Sequence, residues 1–174
     1  MTREKHIRRA GIICCHCLRN LAFYRASRPN KKTYYSEQFW ITAESNFLDI
    51  AVLEWLKLFG DKNGKHCWEK VVTDSPAFFS ELLTTLALTK NEFTDYIKEM
   101  RTYRDKFIAH LDNVETMHIP VLENVKSSAI YLYDYLYLHD EESNIFIDSP
   151  ANATIFYEKY RKEGQSLFNQ IGIQ

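Results

Sequence analysis

Glycine and proline are scarce in this chain, five and four in 174 residues. So few turn-formers argue against a β-sandwich and for long helices joined by short loops. Long apolar runs are missing as well. The best of them, Gly11 to Leu18, is broken by His16 and stopped by Arg19, which makes it too short for a membrane span and poor as a signal-peptide core. No other stretch approaches about 18 uninterrupted apolar residues. A soluble, cytoplasmic protein with no membrane partner is therefore expected, and four free cysteines suit a reducing compartment. There is also no internal repeat, Gly-rich phosphate loop, G-x-S-x-G elbow or low-complexity tract.

What is present is apolar mass, 45% of the residues, with 14% aromatic. That is enough to bury one sizeable core, so residues 1–174 are expected to form a single domain, an all-α antiparallel bundle of about five to seven helices. Net charge is −1, yet it is unevenly spread: up to Lys32 there are nine Lys and Arg against Glu4 alone, and the rest of the chain is acidic. Residues 1–32, a basic helix and loop, are thus the candidate polyanion-facing surface, unless they pack against the acidic remainder of the same chain or of a dimer mate.

Apolar spacing predicts a first helix from Thr2 to Ser27, with Ile7, Cys14, Leu18 and Leu21 on one face, ended by Pro29. The cluster Cys14-Cys15-His16-Cys17, with His66-Cys67, has the ligand types of a zinc site. Cys14 and Cys17, however, fall on or beside the apolar stripe, where cysteine behaves as a small hydrophobe, and no metal is expected. Tyr34 and Tyr35 beside Lys31 and Lys32 suit either base stacking with phosphate binding or a connection packed on the core.

A second helix should run from about Ser36 to Phe59, nearly all apolar from Phe47 onward and so central and well buried, with Gly60 at its stop. A short helix is expected within His66 to Val72, with Trp68 and Val72 inward and His66 exposed, a second candidate for a cleft. Ser75-Pro76 opens another helix, with Phe78, Phe79, Leu82, Leu83 and Leu86 on its apolar face. After Pro120 a helix is expected to Leu138, although Ile130 to Leu138 alternates as a strand does. The last helix follows Ser149-Pro150 and carries Ile155, Phe156, Tyr160, Leu167, Phe168 and Ile171, with Gly164 a candidate break.

The stretch that concentrates chemistry is Thr89 to Asp112. Thr89 and Glu92 have the spacing of a capping box and should start a helix. At helical spacing Phe93, Ile97, Met100, Phe107, Ile108 and Leu111 make one stripe, and Arg104 falls in the middle of it. A guanidinium keeps its charge, so that place is costly unless a carboxylate, a cleft or a partner subunit receives it. His110 lies roughly 120° round from Arg104 on a regular helix, beside Tyr96 and Tyr103. Both can meet one ligand only if the helix bends or a second copy supplies the other half.

The run Arg104-Asp105-Lys106-Phe107-Ile108-Ala109-His110 resembles the signature of the HEPN superfamily, an arginine and a polar residue followed at a short gap by histidine; here five residues separate Arg104 from His110. The Leu111-Asp112 flank is similar to members related to phage abortive-infection proteins, and Phe39 to Val72 shares in the resemblance. The resemblance implies a small helical domain that dimerises, so that arginines and histidines of both chains line one cleft. It implies either a metal-independent endoribonuclease, a toxin or phage-defence effector with an antitoxin protein as a possible partner, or a non-catalytic module binding a partner protein or nucleotide. Members controlled by a nucleotidyltransferase carry a tyrosine two residues after the histidine; Asp112 stands there instead, so that control is not expected.

Under this resemblance His110 transfers protons, Arg104 binds phosphate and Asp105 orients one of them, with Arg101, Lys106 and Tyr103 contacting substrate and no cofactor. Histidine titrates near pH 6.5 and can act as base or acid at neutral pH. One histidine does not easily serve as both in a single step, which is a chemical reason to expect RNA cleavage from a homodimer.

Overall fold

The computed structural model describes residues 2–27, 37–109, 118–139 and 145–171. Every regular element in them is helical: α1 (Arg3–Ser27), α2 (Gln38–Trp55), α3 (Trp68–Val71), α4 (Ser75–Leu86), α5 (Lys90–Tyr103), α6 (Leu122–Leu138) and α7 (Ala153–Ile171). Two π-helical turns interrupt the series, Leu56–Gly60 directly after α2 and Arg104–Ala109 directly after α5. The chain is an all-α bundle, and none of its described helices is long and apolar enough to cross a membrane.

The hub is α1, which packs against α2, α6 and α7. Ile7, Cys14, Leu18 and Leu21 face inward as their spacing predicts, but Ala10, Gly11, Cys17, Ala22, Tyr24 and Ala26 are buried too. Small residues let neighbouring backbones approach from several sides, which is why this helix rather than α2 is central. In α2 the buried residues are Leu48, Ala51, Val52 and Trp55, whereas Phe39 and Ile50 are exposed. The expected central, well-buried second helix is therefore corrected: its N-terminal half lies at the periphery, where Trp40 and Phe47 pack on a small satellite cluster of Ala26 and Phe168.

Most of the α1 cations described here face their own chain. Arg3 donates to the Val71 carbonyl and to Thr73, Arg8 to the Ile145 carbonyl, and Arg25 pairs with Glu123 at 2.8 Å. Arg19 lies over the Tyr160 ring. These contacts favour packing against the chain's own remainder over a polyanion surface; Arg28, Pro29, Lys31, Lys32, Tyr34 and Tyr35 lie outside the described residues.

The alternating stretch Ile130 to Leu138 is helical. Its helix buries Val125, Ser128, Ala129, Leu132, Tyr133 and Leu136, a helical face that overrides the local strand pattern. Tyr133 is wholly buried and donates to the Pro150 carbonyl, while Tyr131, half-buried, donates to Glu81. Helix α4 opens at Ser75-Pro76 as expected, with Asp74 as its N-cap accepting from the Ala77 amide, and Phe78 and Leu82 are buried.

Helix α7 runs unbroken through Gly164. It inverts part of the expected pattern: Ala153, Tyr157 and Phe168 are buried, whereas Ile155 and Leu167 are exposed. Gly164 marks the α1 crossing, since a Cβ there would stand 2.8 Å from the Ala26 Cβ and 3.0 Å from the Phe23 ring. Gly164→Leu is expected to lower stability by about 1–3 kcal/mol by overpacking. For Gly164→Ala, about 1 kcal/mol of helix propensity offsets a milder clash. Urea unfolding distinguishes them, and equal midpoints for the Leu variant and the parent would contradict this crossing.

Candidate functional site

Helix α5 begins as its sequence predicts. The Thr89 hydroxyl accepts from the Glu92 amide and the Glu92 carboxylate accepts from the Thr89 amide at 2.7 Å, closing the capping box. The Thr89 side chain first, and then its backbone amide, hold the Glu92 carboxyl below its usual pKa. Phe93, Tyr96, Met100 and Tyr103 anchor the buried face, and the Tyr96 hydroxyl donates to the Val121 carbonyl at 2.7 Å, tying α5 to the start of α6.

At Arg104 the bonding pattern widens to a π-turn, in which carbonyls bond five residues on. Arg104 itself still bonds back to the Met100 carbonyl in the α-helical manner, and the regular phase ends beyond it. Its side chain is 34% exposed, and Nε donates to the Asp105 carboxylate at 2.7 Å. The guanidinium is thus met by a carboxylate of its own chain, at the surface. Such a pair contributes about 0–1 kcal/mol and occupies one of five guanidinium donors. Phe107 and Ile108 continue the seam half-buried against the core. His110, Leu111 and Asp112 lie outside the described residues.

The predicted contact residues separate. Lys106 stays beside Arg104 and Asp105 on the π-turn, half-buried. Tyr103 is corrected from substrate contact to core residue: it is buried, its ring packs on Phe107, and its hydroxyl donates to Asp49 at 3.3 Å. Burial, then the nearby Asp49 charge, pushes that phenol up. Arg101 turns the other way, donating to the Gly60 carbonyl at the end of the first π-turn and lining a separate pocket.

Asp49 is the group that sequence reasoning missed. It projects from α2 towards the motif turn, and burial raises its carboxyl pKa while the Tyr103 bond lowers it. A carboxylate inside the apolar run Phe47 to Trp55 was the available signal. Burial-shifted carboxyls beside candidate sites can handle protons.

The cysteines behave as hydrophobes. Cys14, Cys17 and Cys67 are buried and all four are free. Burial raises each of their pKa values, that of the half-buried Cys15 to about 11, which disfavours the thiolate that metal binding needs. Cys17 is additionally hydrogen-bonded to the Ala51 carbonyl. Among the described residues no three His, Cys, Asp or Glu side chains are grouped to hold a metal ion.

His66 is half-buried rather than exposed. Its ring stands edge-on to His6 with centroids 5.8 Å apart, and His66 Nδ1 and His6 Nε2 are buried with no hydrogen-bond partner among the described residues. Burial first, then repulsion from His6, Arg9, Lys57 and Lys65, holds the His66 pKa down. An unfolded chain takes up this proton near pH 6.5, whereas the folded chain resists it. Stability should therefore be intact above about pH 6.5 and decline as pH falls below it. Calorimetric Tm between pH 7 and 5 should fall more steeply for the parent than for His66→Gln; parallel curves would clear His66 of the effect.

The site that emerges is a short wide turn at the end of a firmly capped helix, carrying an oriented surface arginine. Comparison of the chain with family models, with curated proteins and with solved structures found no match.

Proposed function

We propose that the chain is a HEPN-like, metal-independent endoribonuclease, a toxin or phage-defence effector, whose site combines Arg104 and His110 of two protomers. The observation that carries this reading is Arg104 on the π-turn, partly exposed, with its guanidinium Nε donating to Asp105. π-turns inside helices often mark functional positions, because they are strained relative to an α-helix and re-aim side chains. A fork held in one plane is suited to bind two phosphate oxygens at once.

In this reading one His110 takes the proton of the ribose 2′-hydroxyl, and that oxygen attacks the adjacent phosphorus. Arg104 meets the charge that develops on the phosphate. The second His110 of the dimer protonates the departing 5′-oxygen, so the products are a 2′,3′-cyclic phosphate and a 5′-hydroxyl. Lys106 adds a cation beside Arg104, and an antitoxin protein would restrain the enzyme in its cell.

The test is incubation of the purified protein with end-labelled RNA in excess chelator. Cleavage with cyclic-phosphate ends, blocked by a single 2′-deoxy substitution at the cut, is expected. A chelator-sensitive cut, or cleavage of the deoxy substrate, would exclude this mechanism. The same Arg104–Asp105 pair, made within one chain, also favours a second reading, a non-catalytic helical module that binds a partner protein or nucleotide; it predicts RNA left intact in this assay.

A further inference from the structure

A pocket of about 390 Å³ lies beside the motif helix, on the side to which Arg101 turns. This is within the size range of small-molecule sites. One wall is a face of α5: Lys90, Thr94, Ile97, Lys98 and Arg101 all line it. Their spacing of four, three, one and three residues keeps them on one side of a helix over about 16 Å. The opposite wall comes from the chain after α2 and from α3 and α4, through Phe59, Lys62, Trp68 and Phe79.

Two properties of this lining point the same way. The lining is aromatic, with Phe59, Trp68, Phe79 and Phe93, and the Trp68 and Phe79 rings of the opposite wall lie nearly parallel, 13° apart with centroids at 5.4 Å. The rim is cationic, with Lys62, Lys90, Lys98 and Arg101 against Glu69 alone. Lys98 is joined to Asp95, but that pair is about two-thirds exposed at both ends and is readily exchanged for a ligand anion. An aromatic, apolar lining beside several cations selects a ligand that is itself planar at one end and anionic at the other. Arg101 is held in place by the Gly60 carbonyl, so one of the cations is preorganised rather than swept in from solvent.

We propose that this pocket binds one nucleotide unit, its base between the facing Phe79 and Ile97 and its phosphate on Lys90, Lys98 and Arg101. The unit can come from a free nucleotide or from one residue of an RNA strand. Only the strand source rests on the RNA-cleaving function proposed above; the ligand chemistry follows from the lining.

Isothermal titration of the full chain with AMP, adenosine, inorganic phosphate and an octaribonucleotide tests it. AMP should bind at least tenfold tighter than adenosine or phosphate alone. Lys90→Glu/Lys98→Glu should weaken AMP at least tenfold, as should Thr94→Trp, which fills the cavity from an exposed helix position. Lys162→Glu, an exposed α7 control for charge, should leave AMP binding within twofold. Circular dichroism shows which variants remain helical, and Lys90→Glu, on the exposed first turn of α5, serves alone if the others do not.

An octamer bound at least tenfold tighter than AMP, and weakened by the same variants, assigns the pocket to the strand; an octamer no tighter assigns it to free nucleotide. No AMP binding at millimolar concentration, equal binding of phosphate and AMP, or binding indifferent to the lysine changes would overturn the proposal. RNA cleavage with unaltered KM in a variant that no longer binds AMP would overturn the strand assignment while leaving the cleavage reading in place. AMP binding without any cleavage would overturn the cleavage reading, and the strand source with it, while leaving the nucleotide pocket in place.

Discussion

Arg104→Ala should lower RNA cleavage by about 10²–10³-fold, the usual effect of deleting one preorganised donor to transition-state charge, with almost no change in stability. The second half follows from the structure. The side chain is 34% exposed and its partner Asp105 56%, so losing their pair costs at most about 1 kcal/mol. A buried arginine would have shown the opposite pattern, with folding lost alongside activity. Arg104→Lys keeps the charge but loses the planar fork, and should fall between the parent and the alanine variant. His110→Ala is expected to be at least as damaging as Arg104→Ala.

Mixing the parent with inactive His110→Ala separates a shared site from a site within one chain. If one cleft uses His110 of both protomers, a mixed dimer lacks one of the two, and activity should fall with the square of the parent fraction. A fall only in proportion to the parent fraction would place the site within one chain. Parent-like cleavage by both single variants would refute the endoribonuclease reading, and the oriented arginine would then be an ordinary surface ion pair.

Much of the bundle could be read from periodicity. The Thr89–Glu92 capping box, the inward face of α1 and the apolar face of α4 all follow from spacing, because each depends on residues within a few turns of one another. What escaped depends on other elements. The two π-turns have no turn-breaking glycine or proline inside them to announce them, apart from Gly60 at the end of the first. Arg104 still bonds back to the Met100 carbonyl as a helical residue, and of the receivers its place in the stripe allowed, the structure shows a carboxylate, that of the adjacent Asp105. Tyr103, expected to contact substrate, is instead buried and hydrogen-bonded to Asp49, a carboxylate on α2 separated from it by 54 residues. The identity of the hub was half-visible: Ala10, Gly11, Ala22 and Ala26 are small, but only the partners show that α2, α6 and α7 all use the space they leave. Gly164 misled in the same way, being small for a helix crossing and not for a turn.

The largest effect on folding is expected at Trp55. It is fully buried at the end of α2, stacked on Phe59 at 5.2 Å and edge-on to Tyr96 at 5.3 Å and Phe93 at 6.3 Å. Its indole N–H donates to the Ser128 hydroxyl at 2.8 Å, across to α6. One side chain therefore joins α2, the first π-turn, α5 and α6, and it sits directly behind the buried face of the motif helix. Trp55→Ala should cost about 3–5 kcal/mol, a large part of the roughly 5–15 kcal/mol that stabilises a domain. Ser128→Ala isolates the polar part. It removes the acceptor and leaves a buried N–H unpaired, which costs about 1–3 kcal/mol. Trp55→Phe discards the donor and keeps most of the ring, so in that background Ser128→Ala should have a much smaller effect. Chemical denaturation of the four proteins gives the coupling between the two residues as the non-additive remainder. A remainder near zero would mean that the indole contributes through packing alone, and that the link from α2 to α6 does not help to hold α5 and its terminal arginine in place.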